Sequence, residues 1–393
     1  MSPLNASAHH SWVCTWLSTS QPTTDEAFPF SLEIPTSLCE QTLYQTLRIT
    51  LGGNKLRFVF SNRYGSQPLV LGDNAITVTP PLGESWTAPI QFNGQAQVTI
   101  PAGQVIYSDE IAHPIADLSE IILLSYFPEL TPVETFHWDA RHYSQLASGN
   151  CVHKAYPNNS MPISSRLLLE RVDTQSDTHN QTVVVIGDSM VDGNGVEMNR
   201  YHRWVDFLAE RAIPHKTAVV NAGQSGSRLL KDGIGISTLS RFHRDVIDLE
   251  GVTTCIVQVG LNDIGLAQTA LAPINCIPTA YELIEGYRQL IRQAHEHHIR
   301  VVGVTLVPLR STEEYGLENF YTPEKEVIRQ EVNQWMRNSG EFDAVIDNEQ
   351  WVRDSQKPQQ LALVYDSGDH LHLNYAGHIL IANAISLDDI IGI

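Results

Sequence analysis

From Val183 onward the chain alternates strands of buried type with amphipathic helices, and that alternation confines it to a sheet covered on both faces. The run TVVVIG at 182–187 is almost continuously β-branched, as a strand without a solvent face requires. KTAVVN, TTCIVQVG, RVVGVTLV and DAVID repeat the pattern. Between them lie RWVDFLAERA, AYELIEGYRQLIRQAHEH and PEKEVIRQEVNQWMRNS, which read as helices. In the second of these, Leu283, Ile284, Tyr287, Leu290, Ile291 and Ala294 recur at helical spacing. Strands and helices in this order imply parallel strands joined by crossover helices, a doubly wound α/β domain.

The first half has a different rhythm. Up to about residue 170 it consists of short alternating segments, such as TLYQTLRITLGG, KLRFVFSNRYGS, AQVTIPAG and EIILLSYF. In KLRFVF, Leu56, Phe58 and Phe60 share one face, while Lys55 and Arg57 share the other. Gly52–Gly53, Pro80–Pro81 and Pro101–Gly103 punctuate the runs. No helix is expected here, and the segment reads as an all-β, jelly-roll-like sandwich. A chain of 393 residues exceeds one compact core. Two domains are therefore expected, 1–172 and 182–393, divided in the polar stretch DTQSDTHNQ at 173–181.

The net charge of −19, with no Lys/Arg cluster, repels phosphate backbones, so no nucleic-acid partner is expected. The five cysteines are scattered, odd in number and without a C-x-x-C pair, which suggests neither a disulfide framework nor a cysteine zinc site. The opening MSPLNASAHHSW has no basic segment followed by an apolar one, and no apolar run is long enough to span a membrane. A cytoplasmic protein without a membrane partner is expected, or a secreted one whose native start was removed. The oligomeric state is open.

In an open parallel sheet, ligands bind beyond the carboxyl ends of the strands. Polar or glycine-containing turns follow three of the apolar runs there: Gly187-Asp188-Ser189, Asn221-Ala222-Gly223 and Gly260-Leu261-Asn262-Asp263. A fourth set, Asp369-His370-Leu371-His372, precedes the apolar segment YAGHILIANAI. These residue types suit acyl transfer. A serine hydroxyl needs a base to take its proton, and His372 is the candidate base for Ser189. Asp369, three residues before it, is placed to hold one imidazole nitrogen while the other faces Ser189. Three donors are expected for the oxyanion of a tetrahedral intermediate: the N–H groups of Ser189 and Gly223, and the Asn262 amide. Such a mechanism needs no cofactor and no metal.

These four blocks resemble the SGNH hydrolase superfamily, also called GDSL esterases and lipases. The match is GDS at 187–189, the glycine of NAG at 221–223, GLND at 260–263 and DHLH at 369–372. Met190 stands where that family usually has Leu or Ile, and an apolar residue is kept. The resemblance covers about residues 182–393 and implies a flavodoxin-like, three-layer α/β/α domain with a Ser-His-Asp triad. The first half is similar to the β-sandwich that precedes the catalytic domain in some bacterial GDSL-like acylhydrolases. Some two-domain members deacetylate plant polysaccharides. The expected function is therefore a serine esterase acting on short, acetyl-type esters, on a small molecule or a carbohydrate.

Several features have plainer readings. Asp188 and Asp263 are expected to support turns rather than to act as acids. His370 and His372 with Asp369 lack a further metal ligand of suitable spacing. His295-Glu296-His297-His298 misses the H-E-x-x-H spacing, and Gly193-Asn194-Gly195 is not a phosphate loop. Ser225 misses the G-x-S-x-G elbow. Trp12, Trp16, Trp86 and Trp138 are expected in packing rather than on sugar rings. Two rivals stand beside the esterase: a carbohydrate-binding protein working through its sandwich, and a lysophospholipase-like acylhydrolase.

Overall fold

The computed structural model describes residues 11–23, 30–154, 159–176, 178 and 180–391. Most of the opening stretch read for a leader therefore lies outside the described residues. Among the described residues no helix is long and apolar enough to cross a membrane.

In the first half, two antiparallel sheets share one core. The smaller has the order Ser11–Leu17, Leu169–Ser176, Lys55–Ser61, Val105–Tyr107. The larger runs Met161–Ile163, Ser144–Ser148, Gln41–Arg48, Glu120–Phe127, Asn74–Thr79, Trp86–Ile90. The alternation of KLRFVF puts Leu56, Phe58 and Phe60 into the shared core, against Leu43, Leu47, Ile121 and Leu123 of the facing sheet. The tryptophans pack: Arg57 covers Trp12 at 4.4 Å, Arg166 covers Trp16 at 5.1 Å, and Trp86 stacks on His113 at 4.0 Å. Trp138 lies against both hydrophobic cores.

The second half is a five-stranded parallel sheet. Its strands are β1 (Gln181–Gly187), β2 (Thr217–Gly223), β3 (Val252–Gln258), β4 (Arg300–Val304) and β5 (Ala344–Ile346). Their spatial order is β2-β1-β3-β4-β5. The helices that matter to the site are α1 (Ser189–Asp192), α2 (Trp204–Ala212), α3 (Ala280–Glu296), α4 (Pro323–Asn338) and α5 (Tyr375–Ala384). Helix α3 begins in a capping box: Thr279 accepts from the Glu282 N–H at 3.2 Å, and Glu282 accepts from the Thr279 N–H at 2.8 Å. Its Leu283, Tyr287, Leu290 and Ala294 are fully buried. The chain goes from β1 to β2 on one side and returns to β3 on the other, so a crevice opens beyond the end of β1.

The polar stretch at 173–181 is shorter as a connection than its composition implies. The Leu169–Ser176 strand runs through its first four residues, and Arg57 donates to the buried Asp173 at 3.0 Å. An acid that is buried with its partner looks like a loop residue in sequence. The two halves also share their first strand. Ser11–Leu17 pairs with Leu169–Ser176 in the sandwich, while Cys14 and Leu17 pack into the core of the α/β half. Cys14 N–H donates to Glu250 O at 3.0 Å, and the Thr182 hydroxyl donates to Cys14 O at 3.0 Å.

A buried charge cluster clamps the carboxyl ends of β1 and β2. Arg241, fully buried, donates to Gly187 O at 2.7 Å, to Ala222 O at 2.8 Å and to Asp245 at 3.0 Å. Asp245 also accepts from Arg244 at 2.6 Å and from Thr19 of the sandwich at 2.5 Å. Burial alone would raise its pKa, but Arg244, Arg241 and Thr19 pull it from 3.8 to about 2. Asp245 therefore contributes stability that is fully present above about pH 4 and is lost as pH falls toward 2. Asp245→Ala leaves two arginines without their carboxylate. It is expected to lower unfolding free energy in urea by about 3–5 kcal/mol. Its acid-unfolding curve should be flatter than that of the wild type between about pH 4 and pH 2.

Candidate active site

The site starts where β1 ends. A side chain at Gly187 would come within 2.3 Å of Gln258 O and 2.5 Å of Val191 Cγ2, so only glycine lets the turn close against β3. Asp188 then caps α1, its Oδ1 accepting from the Met190 N–H at 3.0 Å. It is buried, and burial pushes its carboxyl up to about pH 7. Asp188 is thus a turn-forming residue, as expected. Ser189 is the first residue of α1, where backbone N–H groups have no intrahelical acceptor.

The C-terminal loop brings the candidate base. His372 Nε2 lies 2.8 Å from Ser189 Oγ, and His372 Nδ1 lies 2.5 Å from Asp369 Oδ2. Asp369 Oδ1 also accepts from the Leu371 N–H at 2.9 Å and the His372 N–H at 2.7 Å. Burial would raise the Asp369 pKa, but the His372 ring and these N–H groups hold it well below the usual carboxylate range. An ionised Asp369 takes a proton-bearing Nδ1, which leaves the Nε2 lone pair facing the serine hydroxyl. His370 turns elsewhere: its Nδ1 is 2.6 Å from Asp366 Oδ2, and its Nε2 is 3.8 Å from Glu314.

Gly193-Asn194-Gly195 seats this loop. Gly195 has φ +93°, and a Cβ there would lie 2.3 Å from Leu373 O and 3.1 Å from His372 Cβ. Asn194 donates to Ser225 Oγ at 3.1 Å. Ser225 in turn donates to Asp192 Oδ2 through its N–H at 3.0 Å and its hydroxyl at 2.8 Å. Its hydroxyl is engaged in this structural chain.

Asn262 lies in the first turn of the short helix Leu261–Gly265. One amide hydrogen goes to Ser227 O at 3.1 Å, and the second is left to give. Asp263 accepts from the Leu229 and Leu230 N–H groups at 2.6 and 2.9 Å, so it organises the 228–230 turn. Burial pushes its carboxyl up to about pH 6.

Gly223 departs from its expected role as an oxyanion donor. Its N–H donates to Asn221 Oδ1 at 2.8 Å, and the residue is buried at the end of β2. A Cβ at Gly223 would lie 2.4 Å from Asp192 N, so the glycine allows α1 to sit close on β2. Three residues later, Gly226 is half-buried with φ +77°. Its N–H has no hydrogen-bond acceptor among the described residues. Its neighbours Ser225 and Ser227 are the residues tied to Asp192 and Asn262. The sequence signal for it is the second glycine of AGQSG, the one beyond the strand rather than in it.

The sandwich reaches this region through Arg141-His142-Tyr143. Arg141 donates to Val196 O, and the Tyr143 N–H donates to Asn199 Oδ1 at 2.9 Å.

The family model described as GDSL-like Lipase/Acylhydrolase matches residues 185–380. No curated protein matches the chain. Among solved structures, a GDSL-like lipase from Bacteroides thetaiotaomicron is 14% identical, with a TM-score of 0.39 over 52% of this chain and 85% of that one. A member of the lipolytic protein G-D-S-L family from Veillonella parvula is 15% identical, with a TM-score of 0.38 over 52% of this chain and 95% of that one. An acetyl xylan esterase is also 15% identical, with a TM-score of 0.38 over 52% of this chain and 96% of that one.

Gly195→Ala would push Leu373 and His372 away from Gly195 while leaving Ser189, His372 and Asp369 themselves unsubstituted. Its kcat on an activated ester is expected to fall roughly tenfold or more, with KM nearly unchanged. A wild-type kcat would show that the loop tolerates the displacement.

Proposed function

We infer from membership in the GDSL-like lipase/acylhydrolase family, to which the chain belongs through residues 185–380, that it cleaves short-chain carboxylic esters through an acyl-enzyme on Ser189. The family makes the chain an ester-cleaving hydrolase. The observation that carries the finer reading is the hydrogen-bonded chain from Asp369 through His372 to Ser189, at 2.5 and 2.8 Å.

In this mechanism Ser189 Oγ attacks the acyl carbon while His372 Nε2 takes its proton, and Asp369 stabilises the imidazolium that forms. The tetrahedral oxyanion receives the Ser189 N–H, the Gly226 N–H and the free amide hydrogen of Asn262. His372 then gives its proton to the departing alcohol. A water molecule, activated by the same nitrogen, releases the acid and restores Ser189.

The acyl group is proposed to be acetyl. The residues of the hydrogen-bond network at the site, Asn194, Ser225, Asn262, Asp369 and His372, are polar, and such surroundings suit a short acyl group. The alcohol part is proposed to be a carbohydrate. A groove of about 330 Å³ lies beside the base loop, lined by polar residues such as Arg310, Lys357, Gln360 and His370 and also by Leu361 and Leu363, as a sugar with polar edges and apolar faces would need. Hydroxyl groups of a sugar suit such a lining, since each can both donate and accept. A lipid-directed reading has one observation in its favour: Leu363 and Val364, leading into the base loop, are 80% and 62% exposed.

Hydrolysis of p-nitrophenyl acetate through decanoate by wild type and Ser189→Ala separates these readings. Activity that falls with chain length and vanishes in the variant is expected, whereas rates that rise with chain length would favour the lipid. Equal rates in both proteins would defeat the Ser189 assignment. Asn262→Ala is expected to lower kcat by roughly 10²–10³-fold with little change in KM, because its donor acts on the oxyanion.

A further inference from the structure

The sandwich places one side chain against the nucleophile's own helix. His137, in the strand Thr135–His137, has its Nε2 3.0 Å from Asp192 Oδ1 and its Nδ1 2.8 Å from Thr19 O. Asp192 is the last residue of α1, three after Ser189. Its other oxygen, Oδ2, holds the N–H and the hydroxyl of Ser225, immediately before Gly226. A single carboxylate thus joins three things: the sandwich, the helix that begins with Ser189, and the turn that carries a proposed oxyanion donor. We propose that His137 is a positioning residue for the hydrolase reaction, holding Asp192 so that Ser189 and the Gly226 N–H keep their mutual geometry. The inference rests on the Ser189 mechanism proposed above.

The hydrogen-bond inventory fixes the state of the ring. A backbone carbonyl and an ionised carboxylate are both acceptors only, so both nitrogens of His137 must donate, and the imidazole is a cation. Burial by itself would favour the neutral ring. The Asp192 charge and hydrogen bond, helped by Thr19 O and Asp139, more than offset that and raise its pKa. Asp192 moves the opposite way: burial would raise it, but His137 and Ser225 lower it. The other charged groups acting on the pair are Arg203 and Arg241, which bear on Asp192, and Arg141, which pairs with Asp139. Both members of the pair are almost completely buried, at 7% and 2% exposure, and both line a cavity of only about 20 Å³, so bulk water has little access to these bonds. The pair therefore holds one defined geometry, which is what a preorganised donor turn needs.

Two properties distinguish this role from simple domain adhesion. Domain adhesion is spread over many contacts, including the shared first strand and the Asp245 cluster, and His137 touches these only through the Thr19 carbonyl. The His137 bond instead ends on the residue that sets Ser225. Its loss should therefore appear in the chemical step more than in substrate binding.

The test compares wild type, His137→Ala, His137→Gln and Ser225→Ala as full-length proteins. Each is measured for kcat and KM on p-nitrophenyl acetate, for thermal melting, and for the rate of covalent labelling by a fluorophosphonate. In His137→Ala, kcat and the labelling rate are expected to fall together by roughly tenfold or more, with KM within about twofold of wild type. His137→Gln, which keeps a donor toward Asp192, should recover a large part of that loss. Ser225→Ala, which removes one of the two bonds to Asp192, should lose kcat severalfold. A wild-type kcat in His137→Ala, with or without a lower melting temperature, overturns the proposal. Should His137→Ala not fold, a wild-type kcat in Ser225→Ala overturns it instead. Failure of the fluorophosphonate to label Ser189 in the wild type would defeat the underlying mechanism. Normal labelling and turnover in the variants would defeat only the positioning role.

Discussion

A single guanidinium governs how the parallel sheet ends. Arg241 is fully buried and bonds both Gly187 O and Ala222 O, the carbonyls at which β1 and β2 stop being partners. The ladder ends there with the Gln224 N–H on Gly187 O at 3.0 Å, and the guanidinium adds a second donor to that carbonyl in a dry interior. Arginine suits the position because its planar fork offers several N–H groups in fixed directions. Asp245 neutralises its charge, and Asp245 in turn draws in Arg244 and Thr19 of the sandwich. The turn that begins at Gly187 and one of the contacts that seat the sandwich, through Thr19, meet in this cluster.

The site above it is made from turns held by carboxylates, two of them local and one, Asp263, reaching back to the turn at 229–230. Asp188 shapes its own turn, Asp369 shapes the loop of His372, and Asp263 shapes the turn at 229–230. Three carboxylates thus spend their acceptor capacity on nearby backbone N–H groups, and only Asp369 also faces the imidazole that faces Ser189. The acidic residues that look interchangeable in sequence differ because backbone donors or a histidine claim them.

Much of this could be read in the chain beforehand. The strand runs and the turns at their carboxyl ends announce themselves, because parallel-sheet strands are continuously apolar and their C-terminal turns are not, and the candidates Ser189, His372 and Asp369 are hydrogen-bonded to one another. Which glycine has a free N–H for the proposed oxyanion hole could not be read. Gly223 is disqualified by the neighbouring Asn221 side chain, and no spacing rule predicts where an asparagine oxygen will point. The strand at 169–176 was obscured because Asp173 is buried with an arginine, which composition registers as polar. His137 was likewise hidden: one histidine in an alternating strand looks like any core residue until its partner from another domain is known.

The serine and its base are 183 positions apart, with most of the α/β half between them. The loop from Asp366 to His372 makes its own internal bonds and needs little else to keep its shape. The base can therefore be formed locally, yet it meets the serine only when α5 docks against α2 and Gly195 accepts the loop. Closing so long a loop is one of the more costly ordering steps for the chain. On the proposed mechanism, hydrolysis is then a late reporter of folding: turnover would begin when the last segment is in place, and a chain still being synthesised would carry the serine without the means to use it.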